Sequence, residues 1–182
     1  ISKYRVGNAV FLGRNIVSPS QAQSLTHRFQ EIASRRRHPV GFLLSIDQEG
    51  GVVARLTRGE TVFPGNMALG ATRSEEYARR AAEVTADEMT ALGFNMNLAP
   101  VLDINNNPRN PGIGVRSFGE DVSLVTRLGV AMIRAYQRSG VVATAKHFPG
   151  KGDVTVDSHL DLPTVAHSKE RLASVELAPF EA

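Results

Sequence analysis

The 182-residue chain has 42% hydrophobic residues, 21% charged residues and a formal net charge of +3, values that are ordinary for a globular domain. Its basic residues form no stripe interleaved with aromatic side chains, so a nucleic-acid interface is not favoured. The absence of Cys excludes disulfides and thiolate chemistry, and no apolar run approaches the length of a membrane span. None of these features fixes the cellular compartment, and localisation stays open. We treat residues 1–182 as a single domain, because this length supplies one sizeable core.

The first predicted unit is a strand at residues 6–12 followed by a helix. Ser18 has the character of an N-cap, Pro19 suits the first helical position, and Gln21 would complete a capping box. We expect Pro39 to end this helix, because proline cannot continue a helical hydrogen-bond ladder.

The second predicted strand, at residues 40–46, is continuously apolar and opens onto a polar loop. The loop begins with Asp47, and Arg55 follows eight residues later. Apolar residues at helical spacing then predict an amphipathic helix over residues 74–92, with Gly93 as its C-terminal cap.

The third predicted strand, at residues 94–101, leads to Asp103 and then to Arg116. A further helix, marked by apolar positions between residues 124 and 135, is closed by Gly140. We interpret Asp103 as a residue that fixes a loop rather than as a catalyst.

The fourth predicted strand, at residues 141–145, runs directly into the most unusual stretch of the chain. Residues 146–163 concentrate Lys, His and Asp among Pro and Gly, with neither helical nor strand periodicity. A loop delivered by a strand end is a common place for catalysis on an α/β scaffold, and this loop is our active-site candidate. A last helix is expected to begin at Ser168 as N-cap, and Pro179 should kink or restart it.

Four strand–helix units with apolar strands predict an α/β fold with a parallel sheet covered by helices. The Gly-rich phosphate turn typical of a doubly wound sheet is missing after the first strand, so a TIM-like (β/α) barrel is favoured, with its first four β/α units in this chain. In such a barrel the loops after the strands converge on one face. The groups expected to meet there are Asp47, Arg55, Asp103, Arg116, Lys146, His147, Asp157 and His159.

Four motifs in the same chain order resemble glycoside hydrolase family 3, and specifically its β-N-acetylglucosaminidase branch. The most specific is Lys-His-Phe-Pro-Gly-x-Gly-Asp at residues 146–153, with Asp-Ser-His at residues 157–159 and Leu-Pro at residues 162–163. The other three are Ile-Asp-Gln-Glu-Gly-Gly at residues 46–51 with Arg55, Ala-Pro-Val-Leu-Asp at residues 99–103, and Ile-Gly-x-Arg-Ser-Phe-Gly at residues 113–119. Together they span nearly the whole chain.

The resemblance implies a retaining enzyme that removes terminal β-linked N-acetylglucosamine from cell-wall or chitin-type glycans of bacterial systems, without a cofactor or metal. It implies that His159 is the acid/base and that Asp157 supports it. An imidazole can donate a proton to a leaving oxygen near neutral pH, and a carboxylate on its other nitrogen fixes the tautomer. The sugar site would be lined by Asp47, Arg55, Arg116, Lys146 and His147.

The family nucleophile, an Asp after a later strand, would lie beyond Ala182. We therefore expect this chain to supply about half of a barrel, to be inactive alone, and to be able to self-associate across its open edges.

Several alternatives to this hydrolase stay open. One is a non-catalytic sugar-binding fragment without a nucleophile, and another is a relative of the β-glucosidase or xylosidase type. Within the enzyme hypothesis, phosphate could replace water as acceptor, because a His repels an anion less than a carboxylate does. A divalent-metal site is the remaining alternative, using Asp153, Asp157, His159 and Asp161.

Overall fold

The computed structural model describes residues 6–36, 39–156 and 160–182. Its strands are β1 (Asn8–Phe11), β2 (Leu43–Ile46), β3 (Met96–Asn97) and β4 (Val142–Ala143), and they form one parallel sheet in the spatial order β1-β2-β3-β4. A doubly wound sheet reverses its strand order at a switch point, whereas a (β/α) barrel keeps neighbouring strands in chain order. The predicted fold class is confirmed.

Helices connect the successive strands and follow the last one. They are α1 (Pro19–Ser34), α2 (Asn66–Thr72), α3 (Glu75–Ala91), α4 (Val122–Arg138), α5 (Lys169–Arg171) and α6 (Ala178–Glu181), with a π-helical turn at Leu172–Glu176 and 3₁₀ turns at Gly13–Asn15 and Gly114–Arg116. The sequence did not predict α2, because seven residues are too few to establish a helical period. Across the ranges given above, no helix combines the length and the apolarity that a membrane crossing needs.

The predicted helix starts are confirmed, with one correction. The Ser18 hydroxyl accepts the Gln21 N–H at 3.2 Å, and the Ser168 hydroxyl accepts the Arg171 N–H at 3.2 Å. The predicted capping box at Ser18 is wrong in detail, because Gln21 Oε1 accepts from the Val17 N–H at 3.1 Å. The glutamine therefore satisfies the residue before the cap rather than the cap itself.

The end of α1 is also corrected, since the helix stops at Ser34 and not at Pro39. The Arg36 guanidinium donates to the Val6 carbonyl at 2.6 Å and lies 4.6 Å from the centroid of the Phe42 ring. Arg36, two residues beyond α1, is thus held against the segments that lead into β1 and β2. The predicted C-terminal ends of α3 and α4 are confirmed, because Gly93 and Gly140 have positive φ angles just beyond these two helices.

The third strand is shorter than the predicted 94–101, since it spans only Met96–Asn97, and Pro100 beyond it has no N–H for a regular ladder. Pairing with the fourth strand nevertheless continues past it. The Lys146 N–H donates to the Pro100 carbonyl at 3.1 Å, and the Leu102 N–H donates to the Lys146 carbonyl at 2.6 Å. This pairing fixes the backbone of Lys146 beside the third strand, at the edge where the polar loops begin.

The core beside the sheet is built from an aromatic cluster, to which α1 contributes Phe29, and from apolar faces of α3 and α4. Phe11 lies between Phe29 and Phe94, with ring centroids 5.7 and 5.1 Å apart and edge-to-face geometry, and Phe29 continues to Phe42 at 5.3 Å. Fully buried apolar side chains from α3 and α4 close the core; they include Ala82, Met89, Val125 and Leu128. This packing holds the strands from which the polar loops extend.

The contact between α2 and the loop after β3 depends on a glycine. A Cβ on Gly70 would lie 1.8 Å from the Phe118 carbonyl oxygen, a backbone atom that cannot move independently.

We expect Gly70→Ala to lower the free energy of unfolding by about 1–3 kcal/mol or more through overpacking. Urea unfolding of the native full-length protein would measure the change. Gly7→Ala is the control, because its Cβ would meet no atom within 4 Å; equal midpoints for the two variants would contradict this packing.

Candidate active site

The site is built where polar residues follow the ends of β2 and β4. Asp47 is the residue after β2, and its Oδ1 accepts from Lys146 Nζ at 2.8 Å. The same ammonium lies 2.5 Å from Glu49 Oε1. Two acidic residues of one strand end are thus joined to a cation from another strand end, 99 positions away in the chain.

Glu49 is a deeply buried charge, since only 2% of its side chain is exposed. Arg116 donates a hydrogen bond to each of its carboxylate oxygens, from Nε to Oε2 at 2.9 Å and from Nη2 to Oε1 at 2.8 Å. Burial by itself would raise the pKa of Glu49, but hydrogen bonds and positive charge from Arg116 and Lys146 outweigh it and hold that pKa below its ordinary value. The hydrogen bonds to Glu49 in turn raise the pKa of Arg116, so the pair is ionised.

His147 is held by a second buried carboxylate. Its Nδ1 lies 2.6 Å from Asp103 Oδ2, and Asp103 is fully buried. Arg116 Nη2 lies 3.3 Å from the other ring nitrogen, Nε2. A guanidinium can only donate, so this arrangement fits the tautomer in which Nδ1–H donates to Asp103 and Nε2 accepts.

Asp103 also fixes the loop that follows β4, as predicted. Its Oδ1 accepts the Lys151 N–H at 2.7 Å, so one carboxylate binds a ring from the start of the loop and a backbone group four residues later. The carboxylate therefore sets the path of the loop as well as the orientation of His147.

These groups form two layers that differ in exposure. The deeper layer consists of Glu49 and Asp103, whose side chains are 2% and 0% exposed. Above them lie Asp47, Lys146 and His147, whose side chains are 20%, 13% and 28% exposed. The buried carboxylates orient the cationic and imidazole groups, and the upper layer keeps surface available for a ligand.

Arg55 lies at the edge of this group. Its Nη2 is 3.9 Å from Asp47 Oδ2, which is a loose ion pair with both side chains partly exposed. Its backbone is nevertheless fixed, because the buried Gln48 side chain accepts the Arg55 N–H at 2.8 Å and bonds both backbone groups of Leu56 at 3.0 Å.

The structure thus brings together Asp47, Arg116, Lys146 and His147, and places Arg55 beside them. Asp157 and His159 lie outside the described residues, so the acid/base assignment stays a prediction. Sequence reasoning gave no role to Glu49, on which the ionic contacts converge. The available signal was its place in the acidic run directly after a predicted strand.

Within the described part of the chain, Asp153, His167 and Glu176 have ligand atoms within 4.8 Å of one another, an arrangement of donor types suited to a metal. It shares Asp153 with the alternative metal set considered from the sequence, of which Asp157 and His159 lie outside the described residues. The exposed Asp161, also of that alternative set, accepts the N–H of its own neighbour Leu162.

A parallel β/α sheet in chain order, with an ionic network at the ends of its strands, defines the class of (β/α) barrel domains. Residues 1–182 match the family model described as "Glycosyl hydrolase family 3 N terminal domain", and the chain belongs to this family.

Relatives agree with this assignment over nearly the whole chain. Beta-hexosaminidase A of Pseudoalteromonas piscicida is 42% identical over 99% of this chain and 31% of its own length. The beta-hexosaminidase of Haemophilus influenzae (strain ATCC 51907 / DSM 11121 / KW20 / Rd) is 37% identical over 97% of this chain and 49% of its own length. Among solved structures, a glycoside hydrolase family 3 beta-N-acetylglucosaminidase from Paenibacillus sp. str. FPU-7 superposes with a TM-score of 0.93 at 54% identity, covering 96% of this chain and 33% of that one. The chain therefore spans only 31–49% of the length of these relatives.

The buried Glu49 carboxylate should contribute stability that depends on pH. Because its folded-state pKa is lowered, the contribution is complete above its ordinary value of 4.5 and is lost as pH falls through the folded-state pKa. We expect Glu49→Gln to reduce the free energy of unfolding by about 3 kcal/mol at pH 7, since it leaves the partner cations Arg116 and Lys146 without the negative charge that neutralises them. The difference from wild type should shrink as pH falls below 4.5.

Denaturant unfolding at a series of pH values would measure this difference. Glu120→Gln is the matched control, because Glu120 is exposed, and it should show little change at any pH. A Glu49→Gln penalty that is the same at pH 7 and at pH 3 would contradict the assigned charge state.

Proposed function

We propose that this chain forms the acid/base-bearing part of the active site of a retaining β-N-acetylhexosaminidase. The substrate would be terminal β-linked N-acetylglucosamine on cell-wall or chitin-type glycans. The observation that carries the proposal is the ionic network of Asp47, Glu49, Arg116, Lys146 and His147 at the strand ends. Its support is that relatives matching 97–99% of this chain are named beta-hexosaminidases.

The network has the donor and acceptor groups that sugar hydroxyls require. Lys146 has three N–H donors, of which Asp47 and Glu49 take two, so a third is available to a ligand. Arg116 has five, of which four point to Glu49, His147 and the Gly112 carbonyl. Asp47 keeps lone pairs on both oxygens and can accept from a hydroxyl. Because the buried carboxylates fix these groups in advance, binding a sugar would require little reorganisation.

In the proposed first step, a carboxylate nucleophile beyond Ala182 attacks the anomeric carbon while the bond to the leaving oxygen breaks. His159 transfers its proton to that oxygen, and the leaving sugar departs as an alcohol. In the second step His159, now neutral, takes a proton from water as the water attacks the same carbon and releases the nucleophile. Asp157 would hold the imidazole in the required tautomer and stabilise the imidazolium.

The sugar-binding part of this proposal is tested at Lys146. Lys146→Met keeps the length of the side chain but removes its three donors, so we expect kcat/KM on an aryl β-N-acetylglucosaminide to fall about 10- to 100-fold, as for loss of a charged hydrogen bond. Lys169→Met is the control, because Lys169 is exposed on α5. Unchanged kcat/KM in a folded Lys146→Met protein would remove this residue from the site.

The acid/base role is tested at His159 by varying the leaving group. His159→Ala in the full-length protein should lower kcat/KM about 100-fold or more for a substrate whose leaving alcohol is weakly acidic. It should cost much less for a substrate that releases a strongly acidic phenol, because such a leaving group hardly needs protonation. Steady-state kinetics on both substrates measure the two losses, and equal losses would exclude His159 as the acid.

A further inference from the structure

A second ionic cluster lies away from the sugar-site network, at the two ends of the segment that carries Asp157 and His159. His167 Nε2 lies 2.9 Å from Asp153 Oδ2, and the two residues are 14 positions apart in the chain. Both side chains are about one-quarter exposed. The contact therefore joins the residue that begins the intervening segment to the residue that ends it.

The backbone beneath Asp153 is anchored to the loop after β3. The Asn110 side-chain amide donates to the Lys151 carbonyl at 2.7 Å and to the Gly152 carbonyl at 3.0 Å. Gly152 itself packs so closely that a Cβ there would lie 1.7 Å from the Ile104 carbonyl oxygen. Asp153 is thus presented from a part of the loop whose path the neighbouring unit fixes.

The other end of the segment is anchored by the helical turns that follow it. His167 directly precedes Ser168, the N-cap of α5. One turn later, Arg171 Nη2 lies 3.2 Å from the buried carboxylate of Glu176 and 3.9 Å from Asp153. Glu176 packs against the loop as well, since a Cβ on Gly150 would lie 2.8 Å from its Cβ.

We propose that the Asp153–His167 pair is a positioning device for the acid/base. By joining Asp153 to His167, it fixes the two points between which the chain carries the proposed acid/base His159. The pair acts through His159 and does not touch the substrate. This inference rests on the proposed function, because it assumes that His159 is the acid/base.

A divalent cation is the competing explanation for the same side chains. Asp153, His167 and Glu176 could ligate one, and Glu176 Oε2 has no hydrogen-bond partner in the described part of the chain. The Arg171 guanidinium, however, already lies between the two carboxylates and supplies their positive charge. A metal ion would have to displace that guanidinium or bind despite its electrostatic repulsion, so the Asp153–His167 pair is the favoured explanation.

The test measures leaving-group dependence in the full-length protein carrying His167→Ala. We expect kcat to fall about tenfold or more on a substrate with a poor leaving group, because a small misplacement of a catalytic group is costly. The loss should be less than about threefold on a strongly acidic phenol, with KM little changed on either substrate. His167→Gln should recover much of the activity, because its amide can still donate to Asp153.

Three further variants, His27→Ala, His159→Ala and Asp153→Asn, make the outcome decisive. His27→Ala is the matched control, since the His27 side chain is 73% exposed on α1, and it should leave both rates unchanged. His159→Ala is measured in parallel. If it shows the leaving-group dependence and neither His167→Ala nor Asp153→Asn does, the positioning role is wrong while the proposed function stands. If His159→Ala itself shows none, the proposed function fails and the positioning role fails with it.

The metal alternative is tested with the same proteins. Addition of Zn²⁺ to the wild type, after treatment with a chelator, should leave the ratio of the two rates unchanged. The quantity compared is kcat on the substrate with the poor leaving group divided by kcat on the substrate with the acidic phenol. If this ratio falls on chelation and returns with Zn²⁺ in the wild type, but not in His167→Ala, a metal site replaces the ionic pair as the explanation.

Discussion

The arrangement of the site depends on one buried carboxylate. Glu49 has almost no exposed surface, and an isolated charge in that position would be strongly unfavourable. Arg116 and Lys146 make it tolerable by bonding to it directly, and in doing so they are themselves held in place. The need to neutralise one buried charge thus determines the geometry of two cations from separate loops, and through Arg116 it extends to the ring of His147.

The fold makes this interaction available because parallel strands in chain order end on one side of the sheet. Each loop then contributes a part that is incomplete alone: carboxylates after β2, a buried carboxylate after β3, and a lysine and a histidine after β4. The irregular pairing past Pro100 matters here, since it fixes the Lys146 backbone between the third and fourth loops. The loops after β3 and β4 are in contact a second time at Gly152, which packs against the Ile104 carbonyl. The sugar-site network and the start of the proposed acid/base segment are therefore both anchored to the loop after β3.

The sequence predicted most of the fold because its signals are local. Ser18 and Ser168 cap helices through contacts three residues away, and Gly93 and Gly140 end helices through their own φ angles. The misses concern element ends. The residue Arg36, just after α1, contacts Val6 and the Phe42 ring, and the third strand is regular only over Met96–Asn97 although hydrogen bonds to the fourth strand continue past Pro100.

For the site, the amino-acid sequence by itself determined which residues follow the strands, and the family motifs indicated which of them would serve a sugar. It also determined the interpretation of Asp103 as a loop-fixing residue. Only the tertiary structure decided that Glu49 is the centre of the network and that Asp153 meets His167. The physical reason is that burial and ion pairing are properties of space rather than of chain position. A carboxylate is costly or harmless according to what the fold places beside it, and here the partners come from 67 and 14 residues away.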